Sequence, residues 1–315
     1  MASTGMVGPG VPESADQLPE PAVPPVALVL GAVVSVQFGG ALAVLLLPLI
    51  GLAGSVALRL TLATVVLWAL VRPRLLRRSR ADWLVVARFA LALTVMNLAF
   101  YGSLERLPIG VAVTIEFLGP LTLAAFLSRR RVDAAAVAAA LIGVVLISEV
   151  ATSSWDSIDL LGVALAALAG VCWAAYIVTS GQTGARFEGL DGIAIAMAMA
   201  SAAMIPVLAG SALAGGFSPA EMLDGRVLLL GLAVAVMSSA LPYSLELSAL
   251  RHLAAGVFGV LLSLEPAVAA LAGLLLLGQT LSATQLTGMA LVVLASITVL
   301  GRSGTGPSGM EGAGA

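Results

Sequence analysis

The chain has 315 residues, of which 60% are hydrophobic and only 10% charged, with a formal net charge of −2. A soluble domain carries roughly 25% charged residues, so a soluble globular enzyme is excluded, and the near-neutral balance leaves no basic domain for nucleic acid. One cysteine and one histidine make neither an internal disulfide nor a metal cluster. No cofactor or metal is therefore expected.

Residues 1–25 are proline-rich, hold three acids and lack arginine. They read as a disordered tail with neither the basic start nor the short apolar core of a secretory signal. Ten apolar runs follow, near 26–46, 55–71, 83–102, 109–128, 134–150, 160–180, 190–212, 227–247, 253–277 and 284–301. A membrane-crossing helix needs about 20 mostly apolar residues. The alternating ten-residue pattern of a membrane barrel is missing. The predicted fold is an all-α integral membrane protein of ten transmembrane helices, lodged in a lipid bilayer. Residues 302–315 read as a second disordered tail.

Every basic residue is an arginine, and if ten helices alternate, eleven arginines in loops fall on one side against two, Arg106 and Arg226, on the other. Arg72, Arg74, Arg77, Arg78 and Arg80 follow run two, and Arg129, Arg130 and Arg131 follow run four. Basic loops stay cytoplasmic, which predicts that both termini are cytoplasmic.

Residues 103–120 (SLERLPIGVAVTIEFLGP) align with residues 249–266 (ALRHLAAGVFGVLLSLEP) at an offset of 146, matching Leu104/Leu250, Leu107/Leu253, Gly110/Gly256, Val111/Val257, Leu118/Leu264 and Pro120/Pro266. Five helices separate the copies, and an odd number inverts the second. The expectation is two inverted five-helix repeats, residues 26–150 and 160–301, each with a helix broken at the matching proline. Such halves mark secondary transporters.

Charge inside these runs needs a reason, because an ionised side chain at mid-membrane costs roughly 2.5–3.5 kcal/mol. Glu116 lies about 10 Å into run four and Glu265 about 18 Å into run nine at 1.5 Å per residue. Each acid has a proline close by, Pro120 or Pro266, that frees a backbone carbonyl one turn earlier. Gly119 allows another backbone or a ligand to come near. A carboxylate beside a broken helix can bind a substrate ammonium. Arg59, in run two, can meet a substrate carboxylate, whereas Arg88 reads as a snorkelling side chain. The amides of Gln37 and Asn97 should face the interior, and Tyr101 can line a substrate path. Glu149 and Glu246 sit near helix ends and read as solvated. His252, next to Arg251, reads as a loop residue. Gly39 and Gly40 read as close-packing points between helices. No nucleotide-binding motif occurs, so ATP-driven pumping has no site in this chain.

Three stretches carry a family resemblance: Ser35-Val36-Gln37, then Leu107-Pro108-Ile109-Gly110 through Glu116-Phe117-Leu118-Gly119-Pro120-Leu121 to Ser128-Arg129-Arg130, and Ser263-Leu264-Glu265-Pro266 with Gly278-Gln279-Thr280-Leu281. With the helix count and the position of Arg59, they make the chain resemble EamA-type permeases of the drug/metabolite transporter superfamily, in particular their threonine/homoserine exporter branch. Many relatives hold Glu where this chain has Gln279. The resemblance implies a multi-pass permease of the bacterial cytoplasmic membrane that exports small amino acids or related metabolites. Protons are the candidate coupling ion and a homodimer the candidate assembly. Two other readings stay open, a broader drug/metabolite efflux permease and a membrane-embedded enzyme.

Overall fold

The computed structural model describes residues 23–75, 78–128, 131–147, 159–250 apart from 217 and 219, and 261–303. Of the expected tails, residues 1–22 and 304–315 lie outside the described residues, as do Arg77, Arg129, Arg130, Glu149, Arg251, His252 and the Gly256 end of the second repeat copy; the inner ends of both tails are instead helical, since the first helix starts at Pro25 and the last ends at Ser303.

All regular structure among the described residues is helical. The first helix, α1 (Pro25–Val71), contains the first two apolar runs, with a break at Gly51, whose φ of 65° and ψ of 178° suit glycine alone. Pro48 precedes the break and removes a helical N–H. The two legs fold back on each other. Ser35 and Arg59 would lie about 36 Å apart along a straight helix, yet they bond the neighbouring carbonyls of Met237 and Ser238.

Helix α2 (Arg80–Leu104) opens on a capping box: Ser79 Oγ accepts from the Asp82 N–H at 3.2 Å, and Asp82 Oδ2 accepts from the Ser79 N–H at 2.9 Å. Run four divides into α3 (Ile109–Glu116) and α4 (Leu118–Ser128), with the interruption at Phe117. Helix α5 (Arg131–Ile147) ends the first half. The second half holds α6 (Leu160–Gly184), α7 (Asp191–Leu213), α8 (Gly225–Ala235), a π turn (Val236–Ala240), α9 (Leu241–Leu250), α10 (Glu265–Leu277) and α11 (Ala283–Ser303). Before α10 the chain turns at Ser263–Leu264, so an interruption precedes Pro266 much as one precedes Pro120.

Helix α1 packs against α7, α8, α9 and α10, while α2 lies along α6 and α5 along α11. The outer faces are apolar, with Leu91, Phe126, Leu229 and Leu275 exposed. A water-facing surface would not leave such a belt bare. Among the described residues, five helices are by themselves long and apolar enough to cross a membrane: Pro25–Val71, Arg80–Leu104, Leu160–Gly184, Asp191–Leu213 and Gly225–Tyr243. The other apolar helices are shorter; in runs four and nine the breaks at Phe117 and before Glu265 account for this.

Ion pairs sort the two ends of the bundle. At one end Arg78 pairs with Asp191 at 3.2 Å and lies over the Phe187 ring at 4.6 Å, and Arg186 pairs with Asp82 at 3.0 Å. The arginine-rich loop after α1 therefore meets the α6–α7 turn. At the far end of α2, Arg106 pairs with Asp159 at 3.0 Å. Asp159 also caps α6 by accepting from the Gly162 N–H at 2.8 Å. That bond first, then Arg106, holds its carboxyl below the ordinary aspartate range.

Gln279 ties the two halves together. Its Oε1 accepts from the Ile109 N–H at 3.1 Å, capping α3 where Pro108 has no side-chain acceptor. Gln279→Ala is expected to cost about 1 kcal/mol, the usual value of an N-cap. Gln279→Glu keeps an acceptor and adds a charge that suits a helix N-terminus, so it retains stability. Thermal melts of both variants in detergent check this.

Candidate functional site

The polar residues that lipid would reject converge where α1, α2, α3, α9 and α10 meet. Arg59 is the hub. Its guanidinium donates to Asn97 Oδ1 on α2 and, through Nη2, to the Ser238 carbonyl at 3.2 Å in the π turn. It also lies over the Tyr101 ring, 5.6 Å from the centroid, a cation–π distance. Asn97 is set for this task by its own Nδ2, which donates to the Leu93 carbonyl at 2.8 Å and so directs Oδ1 at Arg59. Tyr101 is 1% exposed. Among the described residues, Arg59 Nε and the Tyr101 hydroxyl are buried donors with no hydrogen-bond acceptor. Buried polar atoms are rarely left so, and donors without acceptors mark a place for an acidic ligand.

Glu116 closes α3 and is 8% exposed. It lies within electrostatic reach of Arg59 but forms no ion pair with it. A separated cation and anion, both held by rigid helices, present the two charges a zwitterion needs. Pro120 supplies no N–H to the Glu116 carbonyl, which leaves that oxygen free of its helical bond. The crossing helix α6 fills the space: a Cβ on Gly170 would sit 2.5 Å from the Glu116 carbonyl oxygen. Gly119 faces the same crossing, and a Cβ there would overlap the Gly170 carbonyl. Of the two approaches a glycine permits, Gly119 thus admits a neighbouring backbone.

Gln37 and Glu265 form a second pair. Gln37 Nε2 donates to Glu265 Oε2 at 3.3 Å, and Glu265 is 6% exposed. Pro266 stands in the first turn of α10, where a missing N–H costs nothing. Gly110 brings α3 close to α10, since a Cβ on it would lie 3.0 Å from Ala270 Cα. Glu116 and Glu265 are therefore neighbours, and Glu265 is within electrostatic reach of Glu116. Arg59, Asn97, Tyr101 and Glu116 form one group, with Gln37 and Glu265 beside it and Gly119 and Pro120 just past the helix break, in the first turn of α4.

Glu246 departs from expectation. Its nearness to a run end suggests solvation, yet it is only partly exposed and has Tyr176, Tyr243 and Glu265 as electrostatic neighbours. Ser239, Tyr243 and Glu246 follow i, i+4, i+7, one face of a helix, and that spacing was visible in the sequence. Arg88 is exposed, in keeping with snorkelling. Ser35 and Ser238, which bond across the halves, carry no charge and no unusual spacing that would single them out.

Comparisons with known proteins agree with this architecture. The model of the EamA-like transporter family matches residues 160–301. The threonine/homoserine exporter RhtA of Salmonella typhimurium strain LT2 is 40% identical over 273 residues, 87% of this chain and 90% of its own. The threonine/homoserine exporter RhtA of Escherichia coli strain K12 is 40% identical over 274 residues with the same coverage. One solved structure, described only as the crystal structure of a protein, shares the fold with a TM-score of 0.60 at 21% identity, covering 88% of this chain and 98% of its own. These proteins are transporters by name wherever a function is stated. This chain belongs to the EamA-like transporter family.

Proposed function

We propose that the chain is a secondary exporter of threonine, homoserine or closely related small amino acids across the bacterial cytoplasmic membrane. The observation that carries this reading is the pair of opposite charges set apart in the bundle interior. Arg59, with its free Nε and the free Tyr101 hydroxyl beside it, receives the substrate carboxylate, and Glu116 receives the ammonium. Asn97 orients Arg59. Gln37 and Glu265 form the adjoining wall, and the breaks at Phe117 and at Ser263–Leu264 keep α3–α4 and the chain entering α10 from running straight through the site. The 40% identity to threonine/homoserine exporters supports this substrate class.

The chain crosses the membrane ten times as two inverted halves, residues 26–150 and 160–301, which rock about the central site in alternating access. The fold-back of α1 at Gly51 and the division of run four support this count. The arginine bias puts both termini in the cytoplasm, and the meeting of the basic loop with Arg186 and Asp191 puts those loops at one end. Protons are the proposed coupling ion, because the described interior holds the carboxyl groups Glu116, Glu246 and Glu265 against the single guanidinium of Arg59.

Flux of radiolabelled threonine and homoserine in proteoliposomes, with and without an imposed pH gradient, tests both statements. Flux that follows the gradient and is inhibited by homoserine is expected. No amino-acid flux, together with movement of lipophilic cations, would replace this reading with a general drug permease. Amino-acid flux indifferent to pH would remove the proton and leave the substrate class standing.

A further inference from the structure

The span from Gly225 to Leu250 is irregular at its centre, where Val236–Ala240 forms a π turn. A π turn holds one residue more than an α turn and shifts the backbone bonding by one position, and such turns gather at functional sites. Two of its carbonyls are bonded from α1. Ser35 Oγ donates to the Met237 carbonyl at 2.7 Å, and Arg59 Nη2 donates to the Ser238 carbonyl at 3.2 Å. Gly39, one helical turn beyond Ser35 and on the same face, lies against the same backbone. A Cβ on Gly39 would be 2.9 Å from Ser238 N and 3.0 Å from the Met237 carbonyl carbon. Both legs of α1 thus grip one irregular turn of the other half.

We propose that the π turn Val236–Ala240 is the moving contact between the halves: a substrate carboxylate draws Arg59 away from the Ser238 carbonyl, while Ser35 and Gly39 are positioning residues that keep the turn seated. This rests on the assignment of Arg59 to the substrate carboxylate. A guanidinium binds a carboxylate more strongly than a neutral carbonyl, and often through two nitrogens at once, so the exchange runs downhill when substrate arrives. The Ser238 carbonyl then loses its charged donor, while the Ser35 tether to the Met237 carbonyl remains. The motion is local to a segment already irregular, so no regular helix has to break.

Hydrogen exchange of the full chain in lipid nanodiscs, read by mass spectrometry with and without saturating threonine, tests the proposal beside a direct threonine-binding assay. Amides across residues 236–241 are expected to exchange roughly 10-fold faster with threonine, the scale of losing one hydrogen bond to a charged group. Ser35→Ala should raise the exchange without threonine and shrink the threonine-driven increment, and Ser35→Thr should restore both. A merely structural serine would change the first and leave the increment alone. Threonine that binds yet leaves exchange at 236–241 unchanged or slower overturns the moving contact while the export reading stands. A chain that binds no amino acid overturns both. The wild-type measurement decides between these outcomes even if Ser35→Ala does not fold.

Discussion

Glu116→Gln is expected to reduce threonine flux by roughly 10- to 100-fold at subsaturating substrate, the range set by one hydrogen bond between charged groups, about 1.5–3 kcal/mol. Glutamine keeps the volume and the hydrogen-bonding capacity of the side chain and removes only its charge. The substrate ammonium then loses its counter-charge in a site where water offers little compensation. Stability should not fall, since the substitution takes a charge out of an apolar bundle and Glu116 has no ion pair among the described residues to break. A melting temperature at or above that of the wild type, together with lost flux, separates a binding defect from misfolding. Glu116→Asp keeps the charge but draws it back by one methylene, so a weakened KM with a largely retained maximal rate is expected. Unchanged flux in Glu116→Gln would remove the residue from the site.

The sequence revealed the charged parts of this site and concealed the neutral ones. Glu116, Glu265 and Arg59 were legible because a charge in a long apolar run has no other excuse. Gln37 and Asn97 were legible for the same reason at lower cost. Ser35 was not, because a serine in a helix normally satisfies itself on its own backbone, as the Ser238 hydroxyl does on the Val234 carbonyl. Thr94, Thr114 and Ser296 do so, bonding the carbonyls of Ala90, Gly110 and Val292. Only the folded chain shows that Ser35 bonds Met237 instead. Glu246 was misread through its distance from a run end. Depth in a bundle depends on what lies around a helix terminus, and here Tyr176 and Tyr243 are electrostatic neighbours of the half-buried Glu246. Pro120 predicts a break in run four, and the structure has it at Phe117, beside the Glu116 carbonyl that the proline leaves without a donor; the close crossing of α6 over that backbone is what no local pattern records.

That crossing gives the second large effect. Gly170→Ala is expected to destabilise the chain by about 1–3 kcal/mol or more, the cost of overpacking a filled contact, and to abolish flux. The added Cβ would stand 2.5 Å from the Glu116 carbonyl oxygen and 3.3 Å from Glu116 Cα. Both are backbone atoms, so no side chain can swing aside to make room. Either α6 moves away from α3 and α4, or Glu116 moves with its backbone and its carboxylate leaves the reach of Arg59. Gly181, on the same helix, supplies the opposite case. A Cβ there meets nothing within 4 Å, and alanine favours a helix over glycine by roughly 0.8–1 kcal/mol. Gly181→Ala should therefore hold or raise the melting temperature and leave flux intact. The two substitutions are chemically identical and lie on one helix, so propensity cannot account for a difference between them. If Gly170→Ala melts and transports like Gly181→Ala, the tight crossing of α6 over the Glu116 backbone is not what fixes the acid in place.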